Sequence, residues 1–326
     1  MIVEYPSPYN NILTYSNRQN EMALLFSLYA DFECFLDSSK KTDGKSYDTH
    51  VPSGFCCLTV STFPEYINEK PYVYSGPDVM HEFSKYLKLE QARINQILAK
   101  NEPMKPLTDD QTLKYNTCEN CPSCLITLTP ENKVRHHCHV TGNFLSALCN
   151  NCNLQMKFKK RIKGRDDVNY LILVVFHNLW GYDSHVILKN LSRFFAPNDV
   201  FVIANNMEKY LAFEVEGLRF LDSLQFLNCS LDTLVKNLYK DGEDKFIHMR
   251  RLYQNDEQFK LLMKKGVFPY QHLDSEERMS ERCLPPQEKF CSRLTDENIS
   301  DADYSHAQKV RKAFNMVTMR QYHDRY

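Results

Sequence analysis

The chain opens on runs in which apolar and polar residues partly alternate. Residues 23–36, ALLFSLYADFECFL, have this β-prone character and predict a strand. SGFCCLTVSTF and PYVYSG predict two more strands at short spacing, which makes an opening three-stranded meander. From Pro77 to Lys100 the period changes. Val79, Phe83, Tyr86, Leu87, Ala92, Ile94, Ile97 and Leu98 fall largely on one helical face behind a proline, and they predict a long amphipathic helix.

Residues 101–165 break the rhythm with a polar linker, a cysteine-rich stretch and the basic run KFKKRIKGR. The pattern then returns: LILVVFHN as a buried strand, DSHVILKNLSRFF as a helix, DVFVIAN and YLAFEVEGLRFLDSL as strands, and LDTLVKNLYK as a helix. Further on, NDEQFKLLMKKG predicts a helix closed by Gly266, and a last helix is expected around HAQKVRKAFNM. This is an α/β layer interrupted by an insertion. The expected parts are residues 1–105, an inserted module at 106–166, and residues 167–326.

Composition narrows the class. A chain of 326 residues, 43% of them hydrophobic, can bury a core, and its length suits two units at roughly 150 residues each. The net charge is only −1, so contact with nucleic acid has to come from local clusters of Lys and Arg. No apolar run has the length of a membrane-spanning helix, and MIVEYPSPYN lacks the order of a signal peptide. The expectation is a soluble, intracellular protein whose cysteines are reduced or bound to metal.

Residues two apart in a strand share a face, so Asp31 and Glu33 present two carboxylates to the same space. In FHNLWGYDSH a buried strand runs into a turn that delivers Asp183 at the start of a helix. Two-metal hydrolysis of a phosphodiester needs several such hard oxygen ligands around ions about 3.5–4 Å apart.

Six of the twelve cysteines fall between Cys118 and Cys152. CENCPSC, followed 24 residues later by CNNC, gives two Cys-x-x-Cys knuckles with the spacing of a tetrahedral Zn²⁺ site. Cys118, Cys121 and Cys124 compete for two places. Cys121, Cys124, Cys149 and Cys152 are the favoured set, since Cys118 then lies outside the loop. The run after them carries Lys157, Lys159, Lys160, Arg161, Lys163 and Arg165, enough for several phosphate contacts with DNA.

The order DFE then HNLWGYD resembles the first two exonuclease motifs of family B DNA polymerases, in particular the protein-primed branch. RFLDSLQFLNCSLDTLVKNL is similar to the stretch between that branch's second and third motifs. VPSGFCC, NNMEKY, KGVFPY, LPP and YHDRY resemble the polymerases of Polinton/Maverick self-synthesising transposons, so the likeness runs over nearly the whole chain. The resemblance implies a DNA-directed DNA polymerase with a 3′-to-5′ exonuclease, acting in replication of such an element in the nucleus. It also implies a ribonuclease H-like exonuclease fold, a mixed sheet flanked by helices. Asp31 and Glu33 would hold a pair of Mg²⁺ or Mn²⁺ ions and Asp183 the second of them. Asn178 would contact the single-stranded primer end, Ser223 and Leu224 would steady the strand, and a terminal protein would be the priming partner. Tyr326 takes the Tyr place of the third motif, Tyr-x-x-x-Asp. No string resembling SLYP or DTDS occurs, so polymerisation is not expected from these residues.

KVRHHCHVTGNFLSALCNNCN resembles the His-Cys core of endonuclease VII-type, or HNH-like, nucleases. That likeness implies His137 as general base, His139 in support and Asn153 as a metal ligand. His136 and Cys138 stand where that family places aspartates. Two other readings of the chain follow: a structure-selective endonuclease centred on the zinc module, and an inactive remnant that binds DNA.

Overall fold

The structure is a computed structural model. It describes residues 7, 24–37, 41–42, 45–46, 49–68, 70–156, 159–161, 168–191, 193, 195, 200–204, 210–291 and 298–325. The chain divides into two compact units: one of Phe26–Gln91 with Ile172–Tyr326, the other of Met1–Leu25 with Ala92–Leu171.

The larger unit begins with β1 (Phe26–Asp37), β2 (Thr49–Ser61) and β3 (Tyr72–Ser75), and α1 (Val79–Leu98) starts in it. The smaller unit holds α2 (Asp109–Thr117), β4 (Lys133–His137), β5 (Phe144–Cys149), α3 (Asn150–Gln155), β6 (Lys159–Arg161) and β7 (Val168–Tyr170). The larger unit resumes with β8 (Ile172–Phe176), α4 (Asp183–Leu191), β9 (Val200–Ala204), β10 (Tyr210–Val215) and β11 (Leu218–Asp222). It ends with α5 (Leu231–Lys240), α6 (Ile247–Leu252), α7 (Asp256–Leu262), α8 (Asp301–Ala313) and α9 (Met319–His323).

Seven strands form one mixed sheet in the order β9-β10-β11-β8-β1-β2-β3. β8 lies parallel to both β1 and β11, and the other neighbours run antiparallel. The two central parallel pairings explain why ILVVF reads as a continuous apolar run: Ile172, Val174, Val175 and Phe176 are all buried.

One face of the sheet is held by aromatic packing. Phe32 of β1 stacks on Phe176 of β8 at 5.8 Å between ring centroids and meets the edge of Phe83 of α1 at 4.7 Å. Phe55 of β2 joins them at 5.1 Å from Phe83. Phe32, Phe55, Phe83 and Phe176 are all buried, and burial of rings this size contributes about 1.5–3 kcal/mol each. Ile187 of α4 meets Phe83 and Leu87 of α1 over Phe220 of β11. A second core joins Phe268, Leu273 and Met279 to Ala307 and Val310 of α8 and Met319 and Tyr322 of α9, with Phe35 of β1 packed against it.

Asp31 and Glu33 occupy the β1 positions on either side of the core ring Phe32. Just beyond them the β1–β2 ladder is bulged: Glu33 pairs with Gly54, but Cys34 pairs with Pro52. Ser53 is the extra residue, and its hydroxyl lies 2.9 Å from Nε2 of the buried His323. Proline has no N–H to give to the ladder, so a bulge is a natural end to regular pairing here. Gly54 is needed beside it. A Cβ at Gly54 would lie 2.6 Å from Cε1 of His323 and 2.9 Å from the Tyr74 carbonyl oxygen.

Several elements differ from the sequence expectation: α7 ends at Leu262, short of Gly266, and α6 and α9 are short helices that the sequence did not announce. The stretch read as a polar linker contains α2, whose start is a capping box: Thr108 accepts from the Gln111 N–H and Gln111 accepts from the Thr108 N–H. α2 buries none of its residues, so it carries no apolar stripe to announce it. The last long helix starts at Asp301, capped by Ser300, ahead of HAQKVRKAFNM, because its first turn is polar.

Candidate active site and a four-cysteine centre

β8 delivers the second half of the site. After Phe176 the chain passes through His177 to Asn178, whose φ of 74° is left-handed, and a single turn from Leu179 to Gly181 precedes α4. Asn tolerates this backbone conformation better than most residues. A Cβ at Gly181 would lie 2.5 Å from Oδ1 of Asn178, so a larger residue there would push the exposed Asn178 side chain aside. Asp183 then becomes the first residue of α4.

The turn is held from β11. Asp222, only 2% exposed, accepts the N–H groups of Asn178 at 2.8 Å and Trp180 at 3.3 Å, and also that of Leu224 at 2.9 Å. Ser223 donates its hydroxyl to the Phe176 carbonyl at 2.9 Å and lies 3.0 Å from His177 Nδ1. His177 Nε2 lies 3.0 Å from the carbonyl of Cys229. Ser223 thus ties β11 to the end of β8 through its own hydroxyl. Leu224 is half-buried, whereas Phe226 and Leu227 beyond it are exposed.

The three expected carboxylates meet electrostatically at this end of the sheet. Burial raises the Asp183 carboxyl to about 8, and the charge of Asp31 adds to the rise, followed by those of Glu33 and Asp222. Burial also pushes Glu33 up to about 8, with Asp31 adding to it, while Lys265 and a hydrogen bond from Tyr270 act in the opposite sense. Asp31 keeps part of its surface in solvent, yet its surroundings raise its carboxyl as well, by desolvation. The Phe32 N–H, Lys265 and His177 offset that rise.

One atom stands out. Asp183 is 3% exposed, and its Oδ1 has no hydrogen-bond partner. A buried acceptor without a donor is costly, by about 1–3 kcal/mol, and a bound cation would remove the deficit. Three hard carboxylate ligands, one with an open oxygen, suit Mg²⁺ or Mn²⁺. Among the described residues the carboxylates do not close into a group with every ligand atom within 4.8 Å. Such spread is compatible with ligands shared between two ions.

The sequence reading missed Asp222, Lys265 and Tyr270. Asp222 sits in the quoted stretch RFLDSL, but its role depends on a turn far away in the chain. Lys265 and Tyr270 lie in KGVFPY, which carries no local chemical signal. Tyr326 and Lys157 lie outside the described residues. Lys159, Lys160 and Arg161 form β6, paired with β7, and their side chains also lie outside what is described.

The smaller unit brings four thiols together. The sulfurs of Cys121, Cys124, Cys149 and Cys152 all lie within 4.8 Å of one another. Cys118 is outside this group, its thiol 3.3 Å from the Asn120 carbonyl. Cys121 is buried, which raises its proton affinity, but N–H groups of Cys149, Cys124 and Ser123 outweigh that and lower its thiol to about 7. Backbone N–H groups aimed at the Cys121 sulfur stabilise its thiolate, burial pushes Cys152 up to about 12, and it is the close spacing of four thiols that fits a structural Zn²⁺.

Around this centre, Lys133–His137 and Phe144–Cys149 form an antiparallel hairpin that leads directly into α3. His136 Nδ1 lies 2.8 Å from Oδ1 of Asn153 on α3. His137 is elsewhere, its ring 4.6 Å from that of His139, and His139 Nδ1 lies 2.8 Å from Asn101 Oδ1. The imidazole that meets Asn153 is therefore His136.

No helix among the described residues is long and apolar enough to cross a membrane. No protein-family model, curated protein or solved structure matches this chain.

Proposed function

We propose that this chain carries a divalent-metal-dependent 3′-to-5′ exonuclease of the ribonuclease H-like kind, the proofreading part of a protein-primed family B DNA-directed DNA polymerase. The observation that supports this best is the placement of Asp31 and Glu33 on β1 beside β8, whose following turn carries Asp183, with Asp183 Oδ1 buried and unpartnered. Asp31, Glu33 and Asp183 would hold Mg²⁺ or Mn²⁺. Such ions, when bound, supply charge neutralisation and Lewis acidity for phosphodiester hydrolysis.

The chain's own groups do the positioning. Asp222 fixes the turn that carries Asp183, and Tyr270 holds Glu33 by a hydrogen bond. Asn178 is exposed on the same turn, within reach of a strand terminus. Phe226 and Leu227 offer apolar surface on which unpaired bases can stack. The partners on this reading are a single-stranded primer end and a priming terminal protein.

The test is directional. A 5′-labelled single strand with a free 3′ hydroxyl, incubated with Mn²⁺, should shorten one nucleotide at a time, and a blocked 3′ end should protect it. Internal scission that ignores the 3′ block would contradict the proposal.

The contact of His136 with Asn153 favours a second role for the smaller unit, in which four thiolates hold Zn²⁺ and the hairpin and α3 bind DNA. His136 stands where HNH-like nucleases use a carboxylate, so DNA binding is the reading this unit supports ahead of cleavage.

A further inference from the structure

The turn that leads to Asp183 is held on one flank by Asp222 of β11. Its other flank is held through Tyr182, the residue before Asp183. The Tyr182 hydroxyl lies 2.6 Å from Nδ1 of His50, and the two rings meet edge to face with centroids 5.1 Å apart. These residues are 132 positions apart in the chain, so the contact is made by the fold alone. His50 is exposed and Tyr182 half-buried, which leaves both side chains outside the core.

His50 belongs to β2, where it pairs with Leu36 of β1, beyond Glu33 and the bulge. In the sheet β1 lies between β2 and β8. The His50–Tyr182 contact therefore links the turn after β8 to β2, across the strand that carries Asp31 and Glu33. The Tyr182 backbone runs straight into α4: its N–H donates to the Leu179 carbonyl at 3.4 Å, and its own carbonyl accepts the His185 N–H at 3.1 Å. Asp183 follows as the first residue of α4, and it is buried. Consecutive Cα atoms are joined by one rigid peptide link, so an anchor on Tyr182 restricts where Asp183 can sit.

We propose that His50 is a positioning residue for the carboxylate site, bracing the Tyr182 hydroxyl from β2 so that Asp183 keeps its place relative to Asp31 and Glu33. The proposal rests on the reading of those three carboxylates as a cation site. Its consequence is geometric. Asp183 comes from a different element than Asp31 and Glu33, and ligands from separate elements bind an ion well only when their backbones are held in register. Asp222 supplies that hold from β11 and His50 supplies it from β2.

The test measures Mn²⁺ binding to the zinc-loaded full chain under argon, by loss of the free Mn²⁺ electron paramagnetic resonance signal at one fixed pH and ionic strength. His50→Ala should weaken binding roughly threefold to tenfold, the size of one hydrogen bond. Tyr182→Phe removes only the hydroxyl and should weaken it equally. The double variant should bind no worse than either single one, because both remove the same bond. His50→Asn keeps a polar atom where Nδ1 stands and should recover most of the parent affinity, a rescue that depends on the bond and not on ring bulk. Parent affinity in His50→Ala or in Tyr182→Phe would overturn the proposal, as would losses that multiply in the double variant or an Asn variant that behaves like Ala. If Asp31→Asn and Asp183→Asn bind Mn²⁺ as the parent does, it is the underlying cation-site reading that fails.

Discussion

The buried carboxylate of Asp222 accepts the backbone N–H of Asn178 at 2.8 Å and so fixes the turn that leads into Asp183. The same carboxylate takes two further N–H groups, from Trp180 and Leu224. Asp222→Ala leaves these donors without their acceptor and should cost about 2–4 kcal/mol of unfolding free energy, read from denaturant melts. Loss of nuclease activity should accompany it. A variant as stable as the parent would show that the three bonds carry little.

Asp183 predicts an unusual dependence of stability on pH. Its folded carboxyl sits at about 8 against an ordinary 3.8. Between those values the folded chain binds the extra proton, so the contribution is complete at the acid end and is lost as pH rises through 8. A single carboxyl gives a slope of about 1.4 kcal/mol per pH unit. With zinc retained and no other divalent cation, Tm should fall between about pH 5.5 and 8.5. Asp183→Asn should flatten that fall, and Mn²⁺ should restore stability at the alkaline end. A Tm that rises over the same interval in the parent would contradict this.

The four-cysteine centre predicts metal content. The purified chain should carry one zinc, Cys149→Ser should release it, and Cys118→Ser should keep it, by elemental analysis. Chelation should melt the hairpin of β4 and β5 with α3. Zinc retained in Cys149→Ser would exclude this ligand set.

Gly54→Ala should be far more costly than an ordinary strand substitution. The new methyl meets both the His323 ring and the Tyr74 carbonyl, and the backbone contact cannot yield cheaply. A loss of about 1–3 kcal/mol is expected in thermal or denaturant melts. A neutral effect would mean that His323 moves freely, against its contact with Ser53.

How much of this was legible in the sequence depends on whether the signal was local. β1, β8 and α1 announce themselves by apolar patterning because they build the core around Phe32, Phe83 and Phe176. The cysteines are marked by spacing, Asp31 and Glu33 by sharing one face of an apolar strand two residues apart, and Asp183 by the turn that follows a buried strand. α2 was hidden because it has no buried face, although its Thr108 and Gln111 capping pair was there to be read. Asp222, Lys265 and Tyr270 were hidden for another reason: each acts on residues more than 40 positions away, so only chain closure brings them together. Ser223 was expected to steady a DNA strand, and the structure shows its hydroxyl bonded to the Phe176 carbonyl and beside His177.

The central claim is that Asp31, Glu33 and Asp183 act together as a metal-dependent nuclease site. The most direct measurement is the rate of 3′-end removal from single-stranded DNA in Mn²⁺ for the parent, Asp31→Asn and Asp183→Asn, all with zinc content verified. Each substitution should lower the rate by at least about a hundredfold while zinc and fold are retained. Cleavage that persists at the parent rate in both variants, or that is absent from the parent, would contradict it.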